Sequence, residues 1–270
     1  MKLRLAAFFL LGLAGFAVAE PASPNPGKPT IVSLDYCADQ FVLALADRDQ
    51  ILALSKDAER DFSHLRGKAA GLPKVRAAAE DVVALRPDVV VRSWGGDARA
   101  LALYQRFGIQ AVQIGYAADV DGTGGLLRDV AAAIGQEARA EEILSARPRP
   151  ASPAGQSALY VTPGGVSAGK ETMIDSIMSH AGLENANRGT GWTSLPLESL
   201  VMEPPALMLA AFFGFDDDAT DRWSVSRHPV MQRLMAEAQV IYMDESRVTC
   251  GAWFVADEAA DIAAALEEGR

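Results

Sequence analysis

The sequence predicts an α/β fold with a mostly parallel sheet and helices on both faces, built as two similar halves. Three observations carry this. Short apolar runs alternate with helical patterns along the chain, the order that gives parallel strands with crossover helices. A Pro-rich break, RPRPASPAGQ at 147–156, interrupts that order and marks a boundary. The third is a repeat: EDVVALRPDVVV (80–91) returns as ESLVMEPPALML (198–209). In both, a Glu opens a helical turn, Pro follows seven positions later, and an apolar strand comes next. Pro87 and Pro205 each end a helix, because the residue before a proline is pushed away from helical backbone.

In chain order, Thr30–Leu34 is a short apolar strand and Ala38–Ala46 a helix, with Asp35 placed to cap it. Ile51–Leu54 is a second strand. Residues 57–79, mixed in charge, form a long surface loop. The first half then gives a helix over 79–86, a strand over 88–93, a helix over 97–107 and a strand over 110–115. A long helical pattern covers 123–146, where Leu126, Leu127, Val130, Ile134, Ile143 and Leu144 form one apolar stripe. After the break, strands at 157–161, 206–210 and 240–243 alternate with helices at 171–182, 196–203, 228–238 and 257–268.

The N-terminus bears on compartment. Lys2 and Arg4 precede an apolar run from Leu5 to Val18, which ends in Ala17-Val18-Ala19. That is the pattern of a secretory leader cleaved after Ala19, and the run is too short for a comfortable membrane span. Residues 20–29, rich in Pro, are expected as a disordered tail. This start resembles that of a bacterial periplasmic protein. The formal net charge is −10, and loss of Lys2 and Arg4 makes it two units more negative. With few basic clusters, the chain is not expected to bind nucleic acid or anionic lipid. An acidic surface suits a basic docking partner, and it also serves plain solubility.

At this point the chain resembles the periplasmic substrate-binding proteins of ABC importers for iron chelates and cobalamin. The residues that carry the likeness are IVSLDYCADQFVLALAD (31–47), AEDVVALRPDVVV (79–91), the helical pattern before the break, and GWTSLPLESLVMEPPALML (191–209). The resemblance implies two Rossmann-like lobes joined by one long helix, with the ligand in the cleft between them. Residues 30–122 would form the N-terminal lobe, 123–147 the linker helix and 148–270 the C-terminal lobe. It also implies a monomer working with an inner-membrane permease and its ATPase, with no cofactor of its own. In that family one glutamate on each lobe docks into arginines of the permease; the matching positions are Glu80 and Glu198. Each Glu also suits the positive end of its own short helix, but that explains the two singly and not as a matched pair.

In a parallel α/β lobe, ligands lie beyond the carboxyl ends of the strands. The loops there carry Tyr36, Cys37, Trp94, Gly95 and Tyr116 in the first half, and Gly164, Phe213 and Trp253 in the second, with Trp192 on a Gly-rich loop. The chain is only 7% aromatic, so this grouping at loop tips favours a flat or bulky ligand such as a corrin, a porphyrin or a chelate. Little Arg accompanies it, which leans toward a corrinoid or a neutral chelate. Burial under loops is the competing account for any one of these rings.

Cys37 and Cys250 are the only cysteines. A disulfide, two inert thiols, and a thiolate pair on a soft metal all remain open; a catalytic Cys comes last, because no His partner is apparent. His64, His180 and His228 show no ligand spacing, and no metal site is expected. GGVSAGKE (164–171) approaches a phosphate loop but has Glu171 where Ser or Thr should bind magnesium. Arg227 and His228, ahead of a helix, could face an anionic chelate. No hydrolase motif occurs. The expected function is capture of a cobalamin or iron chelate for an importer; the alternative is an exported enzyme or ligand-sensing domain on the same scaffold.

Overall fold

The computed structural model describes residues 27–153, 155–213 and 224–268. The leader expected over residues 1–19 lies outside the described residues. Lys28 and Pro29, counted to the tail by the sequence, are held in place. Lys28 pairs with Asp47 at 2.6 Å, and the Pro29 carbonyl accepts from Gln50.

The first lobe is a five-stranded parallel sheet, in the order β3-β2-β1-β4-β5. Its strands are β1 (Ile31–Ser33), β2 (Ile51–Ser55), β3 (Lys74–Val75), β4 (Val89–Arg92) and β5 (Gln110–Gln113). Alternation along the strands sorts side chains between two layers. Ile31, Val89 and Val91 face α1 (Tyr36–Leu45) and α4 (Thr123–Ile134), meeting Phe41, Leu127 and Val130. Val32 and Val90 face the other way, toward Val82 of α2 (Ala79–Leu85) and Tyr104 of α3 (Ala98–Arg106).

The second lobe repeats the plan. Its four-stranded sheet runs β11-β10-β6-β8, all parallel, from β6 (Ser157–Val161), β8 (Glu184–Asn185), β10 (Leu207–Ala210) and β11 (Gln239–Tyr242). Tyr160 and Leu209 face α6 (Met173–His180) and α10 (Val255–Glu268). Val161 and Met208 face α7 (Leu197–Met202) and α8 (Pro229–Glu237). The pairing β1-β4-β5 therefore corresponds to β6-β10-β11, and α2 to α7. The sequence repeat at 80–91 and 198–209 is thus a repeat of topology.

Residues 57–79, expected as a surface loop, bury Ala58, Ser63 and Ala69 and supply β3 at the sheet edge. Two further features depart from the sequence reading. The single helix expected over 123–146 is two: α4 stops at Ile134, and α5 (Glu137–Ser145) turns back along it. Gly135 takes the left-handed conformation at φ 69°, and the Gln136 amide donates back to the Ala131 carbonyl, a glycine-type helix stop. Arg128 and Glu141 pair across the hairpin at 2.6 Å. The apolar stripe still packs on the first sheet, so this segment is a bent cover on the first lobe. The chain also crosses back late. Cys250, Ala252, Trp253 and Phe254 sit in the first lobe's core before α10 returns to the second.

Two buried carboxylates make stability pH-dependent: burial raises the Glu258 pKa from 4.5 to about 7, and Asp39 behaves alike. Asp39, on α1, is fully buried and accepts from the Ser55 amide (3.0 Å) and hydroxyl (2.6 Å). Burial pushes its pKa from 3.8 up to about 6, against the pull of those hydrogen bonds. A raised folded-state value means that the contribution is fully present below the unfolded value and lost as pH rises through about 6. His64 works in the opposite sense, since burial lowers its pKa. Comparison with Asp39→Asn isolates the Asp39 effect. In urea titrations the wild type should gain about 1 kcal/mol relative to the variant between about pH 7.5 and pH 5. A difference that does not change with pH would contradict this assignment.

Candidate functional site

Between the lobes lies a cavity of about 320 Å³. The first lobe lines it with Cys37 and Phe41 of α1, with Ser93 and Trp94 after β4, and with Ile114–Ala117 after β5. The second half contributes Met173 at the start of α6, Trp192, and the returning segment 248–251. These are mostly the carboxyl ends of parallel strands, where successive loops turn back to begin helices. Trp94 is 51% exposed, Trp192 60% and Tyr116 81%, so large aromatic faces are presented and not buried. No Arg, Lys, His, Asp or Glu side chain is among the described residues that line the cavity.

Of the residues expected from sequence, Cys37, Trp94, Tyr116 and Trp192 meet here. Tyr36 stands one layer behind, its ring edge-on to Trp94 at 4.8 Å and to Phe62 at 4.7 Å. Gly95 supplies backbone: a Cβ there would sit 2.7 Å from the Leu34 Cβ, so only glycine lets this loop close on β1. Gly164 is an exposed turn residue away from the cavity lining, and Phe213 packs near Tyr242 at 6.3 Å. Trp253 is core. It is 8% exposed, with its ring against Phe41 at 5.4 Å and Phe254 at 5.0 Å, and it backs the cavity wall through Phe41.

Cys37 and Cys250 are bonded to each other, with Cα atoms 5.6 Å apart. The bond lies in the cavity lining and ties the start of α1 to the returning segment. Of the three readings left open by the sequence, the structure has the disulfide.

The Gly-rich GGVSAGKE stretch is not a phosphate cradle. Val166–Ala168 form β7, which pairs antiparallel with β9 (Trp192–Ser194). Gly169 is needed because a Cβ would lie 2.2 Å from the Gly189 carbonyl oxygen. This ribbon carries Trp192 to the cavity mouth. Sequence reasoning missed it because each strand is only 3 residues long, too short for a period to show. Phe41, Met173 and Thr249 were also missed, since helical or loop position alone does not show which face meets the cleft.

The histidines lie apart. His64 is half-buried against Phe254, with centroids 4.5 Å apart. His180 approaches Asp121 at 3.4 Å, and His228 accepts from the Val230 amide as the cap of α8. Among the described residues no three His, Cys, Asp or Glu side chains converge as a metal site would need.

Glu80 and Glu198 each lie in the first turn of their short helices, α2 and α7, and both are exposed. Neither is in the cavity lining. They occupy corresponding places in the two lobes.

Two parallel α/β lobes thus face each other across a cavity walled by residues of both. No family model and no curated protein matches the chain. Solved structures do. The periplasmic haem-binding protein HutB of Vibrio cholerae matches with a TM-score of 0.67 and 20% identity, over 88% of this chain and 98% of that one. The periplasmic haem-binding protein RhuT from Roseiflexus sp. RS-1 matches at 0.65 and 20%, over 90% and 99%. The periplasmic vitamin B12-binding protein BtuF of Vibrio cholerae matches at 0.59 and 13%, over 89% and 97%. The chain has the fold of these periplasmic binding proteins.

Proposed function

We propose that this protein is exported to the periplasm, captures a metal chelate of the corrinoid, haem or siderophore kind, and delivers it to an inner-membrane ABC importer. The observation that carries the reading is the cavity between the lobes, walled by exposed aromatic faces from both. Trp94 and Tyr116 come from the first lobe and Trp192 from the second. Such a wall suits a flat, largely apolar macrocycle or chelate held by stacking and edge contacts. Its uncharged lining favours a ligand that brings its own metal coordination. Gly95 shapes the loop beneath Trp94, and Tyr36 supports the Trp94 ring from behind. Glu80 and Glu198 would dock the two lobes on permease arginines. The leader, the acidic surface and the likeness to binding proteins fit a protein that returns its ligand unchanged, working as a monomer with a permease and its ATPase.

Trp94→Ala or Trp192→Ala should each weaken binding by about 1–3 kcal/mol, because an aromatic partner is lost from a preformed pocket. Both variants should keep the wild-type circular dichroism spectrum. Isothermal titration with hemin, cyanocobalamin and a ferric siderophore reads the effect. Unchanged affinity in both would place the ligand elsewhere.

A further inference from the structure

We infer that Asp35 is the positioning residue of this cleft: its buried carboxylate builds the loop that presents Trp94 to the ligand. The functional half of this rests on the proposed binding role of the cavity.

Asp35 is only 4% exposed, and its two oxygens accept five hydrogen bonds. Oδ1 takes the Ala38 amide at 2.9 Å and the Ser93 hydroxyl at 2.7 Å. Oδ2 takes three successive amides, those of Ser93 (2.8 Å), Trp94 (3.1 Å) and Gly95 (3.0 Å). Capping α1 needs only the first of these. The other four all come from the loop after β4, a different part of the chain, which folds around the carboxylate as a nest of N–H groups folds around an anion. The loop's outer side is held as well. Gln113 donates to the Ser93 carbonyl, and Arg92 donates to the Trp94 carbonyl at 3.3 Å. With its backbone fixed on both sides, Trp94 keeps its ring half out of the wall. The next residue after Asp35, Tyr36, meets that ring edge-on. One short segment, 35–37, thus supplies the anchor for the loop, the support for its ring and one half of the disulfide.

Two substitutions separate capping from positioning. Asp35→Ser keeps a cap oxygen for the Ala38 amide but cannot reach the three loop amides. Asp35→Asn keeps the size, yet its single acceptor oxygen can serve the helix or the loop and not both. Without ligand, amide hydrogen exchange should quicken at least about tenfold at 93–95 in Asp35→Ser, and in Asp35→Asn at either 93–95 or Ala38. Exchange at Leu209 and Val240 of the second sheet should stay at wild-type rates, which excludes global unfolding. In titrations with hemin and cyanocobalamin, Asp35→Ser should lose about as much affinity as Trp94→Ala. The Asp35→Ser/Trp94→Ala double variant should then bind no more weakly than Trp94→Ala alone.

Wild-type exchange at 93–95 in Asp35→Ser would overturn the inference. So would additive losses in the double variant, because an unrelated destabilisation adds where a positioning effect does not. If the wild type binds neither probe, the ligand reading fails, while the exchange measurement still decides whether Asp35 holds the loop.

Discussion

Replacing Cys37 and Cys250 with alanine should lower the stability of the protein by about 3–5 kcal/mol. The bond closes a loop with a sequence separation of 213, and the restriction it places on the unfolded chain grows with the logarithm of that length. It also fastens the late crossing, where Ala252, Trp253 and Phe254 enter the first lobe's core before α10 returns to the second. Without the bond, that crossing loses its covalent tie to α1. In a chain of this size the loss should appear as a fall of about 10 °C in melting temperature. Protein purified from the periplasm without reductant should carry no thiol open to labelling after denaturation. A melting temperature unmoved in Cys37→Ala/Cys250→Ala would show that the bond restrains nothing that the fold does not already hold.

On the proposed docking role, Glu80→Lys/Glu198→Lys should reduce uptake through the importer by more than about tenfold while leaving ligand affinity within about twofold. Both carboxylates are exposed and outside the cavity lining, so the ligand should not sense the change. They open α2 and α7, which precede the corresponding strands β4 and β10. Two negative points on separate lobes set orientation as well as position on a basic partner, and reversing both places like charges across the surface. Each single substitution should do less, because one lobe still anchors. Wild-type uptake by the double variant would leave these residues as helix-end charges only.

Much of this was legible in the sequence, for physical reasons that also mark where legibility stops. β1, β4, β6 and β10 are dense apolar runs buried on both faces, and such runs announce themselves. Asp35 was readable as a cap because capping is local. Its hold on residues 93–95 was not, since those amides lie 58 or more positions away. The break at Gly135 was hidden by an apolar stripe that continues through it; the stripe records burial, and a hairpin buries as well as a straight helix. Trp94 and Trp253 look alike locally, each near glycine in a predicted loop. One is displayed and one is core because the late crossing drives residues 252–254 inward, a tertiary fact with no local sign. Pairing of Cys37 with Cys250 was one of three readings, and only the meeting of the two segments decided it.

The function proposed for the aromatic cavity is to capture a chelate and give it back unaltered. Its most direct test is equilibrium binding of hemin, cyanocobalamin and a set of ferric siderophores to the purified mature protein. Tryptophan fluorescence follows the titration, and mass spectrometry follows recovery of the released ligand. One of these classes should saturate the protein, with quenching lost in Trp94→Ala/Trp192→Ala and the ligand recovered chemically intact. Saturable binding by none of them, or a ligand returned as a modified product, would contradict it.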